Sequence, residues 1–243
     1  MSENKDWLRR DKFGNGIFWE LYKDLERQFQ TFLEYTPYLE GNENVYSFKL
    51  LNLILSIGGH VDSAFKEMAR YKGFADNANC KTILALLMKS KENIEKGERP
   101  TFPSVKLYLK AFEKEYELSQ RKVIFKRLPE GKEVTPFEPY NLKTNAPKWW
   151  EIYNGLKHDV SIHIKQANLL NTLHALASAF LLNVIHVPAA LHLFENNVFK
   201  VPYLSPKQVL SPTKSARDIL QEWLEKKKVQ GSVETALFTY DYI

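Results

Sequence analysis

One cysteine, Cys80, is the whole thiol content of the 243 residues, so a disulfide within the chain is excluded. A free thiol in apolar, helical surroundings suits a reducing compartment, and the expected location is the cytoplasm. No histidine accompanies Cys80 in sequence, so it reads as a half-buried structural thiol rather than a nucleophile. Apolar residues are sparse at residues 1–12 too: the segment is charged and carries no hydrophobic run, so it is not expected to be a secretory signal. No glycine-rich phosphate loop is present, which argues against an ATPase or a dinucleotide-binding fold, and no Ser or Thr stands in a nucleophile-elbow context. His163, His174, His186 and His192 fall at irregular spacing, without a His-Glu-x-x-His arrangement. Neither a metal nor a cofactor is therefore expected.

Charge of one sign is never concentrated. Basic and acidic residues number 34 and 29, and no run of five like charges occurs. The net charge of +5 and pI near 9.0 lean mildly toward acidic partners such as nucleic acid. Only one long uncharged stretch exists, residues 166–194, and Asn168, Asn171, His174, Asn183, His186 and His192 recur through it. Each of those polar groups would need a partner inside lipid, whereas a protein core supplies one. The stretch reads as a central buried helix, and no membrane is expected.

What is present is enough apolar material for a sizeable core: 44% hydrophobic residues and 13% aromatic. Phe18, Leu21, Tyr22, Leu25, Phe29 and Phe32 recur at three- and four-residue spacing, predicting a helix over residues 17–35 before Pro37. A second helix is expected over about 46–71, with Gly58 and Gly59 marking close approach of a neighbouring helix. A third follows over about 81–94. A fourth covers 103–118, with Pro103 in its first turn. Residues 121–128, followed by Pro129, Glu130 and Gly131, read as a strand or hairpin, and 135–146 as a loop. Helix resumes at Pro147 and leads into the long apolar helix ending near Val187. Beyond Pro188 the pattern gives a strand over 198–204, a short helix over 215–227 and a terminal strand over 233–243. The expected fold is mainly α: a helical bundle over residues 1–190 and a strand–helix–strand extension over 191–243 packed on it, whose strands are candidates for a small sheet.

One segment carries chemistry. In Pro147-Lys-Trp-Trp-Glu-Ile-Tyr-Asn-Gly-Leu-Lys-His-Asp159, Asn154 and His158 are four apart and share a helix face, with Lys157 at its edge. Asp62 and Lys66 have the same spacing on the second helix, next to His60. Packed together, the two helices would offer an imidazole, a carboxamide, a carboxylate and ammonium groups. Such a set can cleave RNA without a metal, the imidazole exchanging protons and a cation steadying the phosphorane. The same residues also suit a plain bundle contact, with Asn154 and His158 bonded to neighbours and Trp149, Trp150 and Tyr153 packing its end.

This segment, with Gln166–Leu182 after it, resembles the HEPN family (higher eukaryotes and prokaryotes nucleotide-binding). The resemblance implies a bundle of four or five helices, a homodimer with a composite site, and in many members metal-independent endoribonuclease activity within toxin–antitoxin, CRISPR or other antiviral systems. The family motif is Arg, four to six residues, then His, often with a polar residue after the Arg. Asn154 and His158 match the polar residue and the His, and Asp62 with Lys66 resembles an acidic-x-x-x-Lys pattern on an earlier helix. The Arg position holds Tyr153, and no Arg occurs between Leu128 and His158. Tyrosine has no guanidinium fork for a phosphate.

By that resemblance His158 would be the general acid or base, Asn154 would orient phosphate, and Lys157 would offset charge. Asp62, Lys66, Tyr153 and Trp150 would support RNA. The expected function is an RNA-associated protein of a prokaryotic defence or stress system, either a metal-independent endoribonuclease or a degenerate relative. A non-catalytic dimerisation or protein-interaction module is the alternative, and a small-molecule-binding bundle with a pocket lined by Trp149 or Trp150 is a third.

Overall fold

A computed structural model describes residues 16–139, 146–205, 207, 209–211 and 214–242. Its centre is α7, Leu169–Ile185, started by Asn168, whose side chain accepts from the Asn171 backbone N–H at 3.0 Å. Every α7 position is buried except Leu170 and His174. A helix that is apolar nearly all round needs neighbours on all sides. Three come from α1 (Ile17–Tyr35), α2 (Phe48–Met68) and α5 (Lys148–His158), each packed against α7. Ser47 caps α2 through the Leu50 N–H at 3.1 Å. α3 (Ala78–Glu95) and α4 (Val105–Tyr116) form a hairpin beside them, started by Asn77 and Ser104.

The α1 bounds are those its periodicity predicts. α4 begins after Ser104 instead, so Pro103 precedes the helix rather than opening it. The expected run from α5 into the long helix is broken. Asp159 leaves α5 with extended dihedrals, then caps the short α6 (Val160–His163) by accepting from the Ile162 N–H. A 3-10 turn over Ile164–Gln166 follows. Pro188 does not end the helical part either. It lies in the first turn of α8 (Val187–Glu195), where a missing N–H costs nothing, and α8 leaves α7 at 80°. Among the described residues no single helix is long and apolar enough to cross a membrane.

Among the described residues the larger sheet is antiparallel, of order β2-β1-β7-β6-β3. Its strands are β1 (Val123–Phe125), β2 (Lys132–Val134), β3 (Phe199–Lys200), β6 (Gly231–Glu234) and β7 (Phe238–Tyr242). β4 (Val209–Ser211) and β5 (Lys214–Ser215) pair separately, before α9 (Ala216–Glu225) and its Ser215–Asp218 capping box. The predicted hairpin at 121–134 thus joins the C-terminal strands, with Phe125 opposite Phe238. The predicted terminal strand is a hairpin, β6–β7, because residues 235–237 turn. Thr235 N–H donates to the Phe238 carbonyl at 2.8 Å there.

Phe238 and Glu26 help to fasten the sheet to the bundle. Phe238 stacks on Phe180 of α7 at 5.6 Å. The buried Glu26 carboxylate of α1 accepts from the Leu237 N–H at 3.0 Å, the Tyr22 hydroxyl at 2.9 Å, and the Thr235 hydroxyl.

α2 and α5 approach closely at one glycine. A Cβ on Gly58 would lie 2.2 Å from the Tyr153 ring, whereas one on Gly59 would meet nothing within 4 Å. Gly58→Ala is therefore expected to destabilise by about 1–3 kcal/mol through overpacking, more than its helix-propensity gain. Gly59→Ala should instead stabilise by up to about 1 kcal/mol. Urea unfolding of both variants checks this, and equal midpoints would contradict the Tyr153 contact.

Candidate functional site

α5 is placed by its aromatic residues. The Trp149 indole N–H donates to the Pro136 carbonyl at 2.8 Å, and Ile152 and Leu156 are buried beside it. Trp150 faces α2, 6.4 Å from Phe65 and 5.4 Å from Tyr153 between ring centroids. Because Trp150 meets Phe65 and Tyr153 meets Gly58, the two helices run in opposite directions. Asp62 and Lys66 thus stand beside the middle and start of α5, while His158 lies toward the start of α2.

The residues expected to act together form two groups. In the first, Lys66 pairs with Asp62, and the Tyr108 hydroxyl donates to the same carboxylate at 3.1 Å. Lys66 also lies 5.1 Å from the Phe102 ring centroid. Burial raises the Tyr153 phenol above its ordinary pKa and the Asp62 charge adds to this, so the hydroxyl stays protonated. Tyr108 is raised for the same reasons in the same order.

The second group sits at the C-terminal end of α5. Lys157 lies across the Tyr153 ring at 5.2 Å, a cation–π contact that joins the groups. Asn154 is half-buried and His158 exposed, and neither side chain bonds to a described residue. His163 was not anticipated: its ring rests on Gly155, where a Cβ would lie 2.9 Å away, and its Nδ1 is 3.2 Å from the Gln166 Oε1. Gly155 inside the helical pattern was the available signal. The group therefore offers an exposed imidazole, a carboxamide and an oriented ammonium, suited to proton transfer and to contact with a phosphate. Tyr153 itself is buried over Gly58 of α2.

His60 belongs to neither group. It points away from α5, edge-on to Phe18 at 5.5 Å, with Nε2 3.5 Å from Asn183 Nδ2 of α7. Its Nδ1 and the Asn183 Oδ1 have no hydrogen-bond partner among the described residues. No group of three or more His, Cys, Asp or Glu side chains suited to a metal occurs among the described residues. Cys80 is buried, and burial pushes its thiol up to about 12, so it is no thiolate at neutral pH.

Burial pushes the His60 ring down to about 4. Unfolded, it binds a proton near its ordinary pKa of about 6.5; folded, it does so only near 4. The unfolded state holds more protons between those values, so stability present above pH 6.5 is lost as pH falls toward 4. At pH 5 the His60 share of that loss is about 2 kcal/mol. Urea midpoints measured from pH 7.5 to 5 should fall more steeply in the natural protein than in His60→Met, and identical slopes would contradict a neutral buried imidazole.

No protein-family model, no curated protein and no solved structure matches this chain.

Proposed function

We propose that the chain is an RNA-associated, HEPN-like protein of a prokaryotic defence or stress system that binds RNA at the end of the bundle where α5, α6 and the start of α2 meet. The observation that carries this reading is the state of Asn154, Lys157 and His158. They lie together on the last turns of α5, open to solvent or half so, with Asn154 and His158 bonded to no described residue. Lys165, just after α6, is exposed as well. Phosphates are drawn to such cations, and binding of that kind weakens with salt. In cleavage, His158 would exchange the proton of a ribose 2′-hydroxyl or a leaving oxygen, Asn154 would hold a phosphate oxygen, and Lys157 would offset charge. Tyr153 in place of a guanidinium makes cleavage slow or absent, and binding the main activity.

A second reading has an observation of its own. Phe48 is 73% exposed and Ile162 71% exposed, with Tyr46 and Val160 also open at the same end. Apolar side chains grouped at a basic rim suit a homodimer contact or a partner protein.

Labelled single-stranded RNA is expected to bind with affinity that falls as salt rises, and Lys157→Ala should reduce the salt slope by about 0.7. Any cleavage should persist in a chelator, leave a 2′,3′-cyclic or 3′ phosphate, and drop about 10²–10⁴-fold in His158→Ala. Metal-dependent cleavage, or full activity in His158→Ala, would show the site assignment to be wrong. If no RNA binds, while sedimentation gives a dimer that Ile162→Asp returns to the 28.4 kDa monomer, the interaction module is the correct reading.

A further inference from the structure

α5 borders two places open to a ligand. At its N-terminal end a cleft of about 320 Å³ is walled by Pro136, Pro139 and Pro147 and reached by His174 of α7. Glu138 and Lys148 both line it, so it selects for neither sign of charge. The C-terminal end carries more chemistry, because a second imidazole stands beside that of His158.

That imidazole is His163. A Cβ on Gly155 would lie 2.9 Å from its Cδ2, 2.9 Å from its Cγ and 3.0 Å from its Cε1, so the ring lies face-on over the glycine. Positions three apart on a helix are neighbours, about 5–6 Å between Cβ sites, which sets His158 next to Gly155 on α5. The two rings thus share one surface, with Asn154 and Lys157 on the same turns.

Their bonding differs. His163 Nδ1 is 3.2 Å from the Gln166 Oε1, an atom that only accepts, so Nδ1 carries the proton and Nε2 keeps a lone pair. The Asp159 carboxylate acts on the same ring. It is fixed by the Ser161 hydroxyl at 2.6 Å and the Ile162 N–H at 3.3 Å. So held, it can balance the charge the ring gains on taking a proton. His158 is exposed and bonded to no described residue, free to turn an N–H toward a ligand.

We propose that His163 is the general base and His158 the general acid of an RNA-cleaving pair. This rests on the RNA reading above and goes beyond it by dividing the two proton transfers between two residues. His163 Nε2 takes the proton of a ribose 2′-hydroxyl, and the 2′ oxygen bonds to the adjacent phosphorus. The bond from phosphorus to the 5′ oxygen breaks, and His158 gives that oxygen its proton. The products are a 2′,3′-cyclic phosphate and a 5′-hydroxyl end, and water carries the proton from His163 back to His158.

A labelled oligouridylate and uridine 3′-(4-nitrophenyl phosphate), each assayed with the whole protein in a chelator, test this. Nitrophenoxide leaves without a proton, whereas a ribose 5′ oxygen needs one. The natural protein should cleave both. His163→Ala should lose about 10²–10⁴-fold on both, whereas His158→Ala should lose that much on the oligomer and less than about tenfold on the ester. His163→Gln keeps a side chain over Gly155 but offers no base, and should fall as far as His163→Ala. Gly155→Ala, which displaces the ring while favouring the helix, should lower cleavage of both substrates and leave salt-dependent RNA binding in place. The pair is overturned if His163→Ala or His163→Gln cleaves at the natural rate, or if His158→Ala loses equally on both substrates. RNA bound with neither substrate cleaved also overturns the pair and leaves the binding reading intact. Absence of RNA binding overturns both.

Discussion

The requirement that α7 be covered on nearly all sides sets the arrangement of everything else. Its polar residues do not relieve this need, because they turn back onto the helix itself. Thr172 donates to the Asn168 carbonyl at 2.8 Å, Ser178 to Ala175 at 2.6 Å and Asn183 to Ala179 at 2.9 Å. Thr172 and Ser178 are satisfied in this way, whereas the Asn183 Oδ1 is left without a partner among the described residues. Three helices cover most of α7, and the sheet closes the remainder through Phe238 on Phe180.

α5 is the element through which that core reaches the surface. Its inner face is fixed by Trp149, Ile152 and Leu156, and its flank by Tyr153 over Gly58. Both of its ends are then available for chemistry, and they differ. The C-terminal end presents Lys157 and His158 exposed and Asn154 half-buried. The N-terminal end borders a walled cleft whose one imidazole comes from α7. An open surface with an ammonium suits an extended polyanion, whereas a concave apolar one suits a compact ligand.

The helical part was legible where apolar spacing is strong and a stop signal is near, as in α1 before Pro37. Gly58 also spoke in sequence, since a glycine inside a helical stripe implies close approach. Breaks were harder to read. Pro188 looks the same whether it ends a helix or opens the next, and only the 80° turn at His186 decides. Asp159 similarly resembles a continuing polar position until its side chain is seen capping α6. The pairing of Ile124 with Thr239 left no local trace, because strand partners so far apart in sequence are chosen by tertiary packing. For the site, helix spacing placed Asn154, Lys157 and His158 correctly relative to one another. It could not say that His60 would turn into the core, nor that three prolines would wall a cleft against His174.

The Glu26 clamp and the β1–β7 pairing have a consequence for synthesis. α1 holds a buried carboxylate whose partners, Thr235 and Leu237, are made 209 and 211 residues after it. Until they emerge from the ribosome, Glu26 lacks those bonds, Phe180 lacks the Phe238 ring, and β1 has an open edge. The nascent helices can assemble early from local contacts, but the closing step waits for the β6–β7 hairpin to be made. Deleting that hairpin should therefore leave a chaperone-dependent, aggregation-prone intermediate rather than a slightly trimmed native fold.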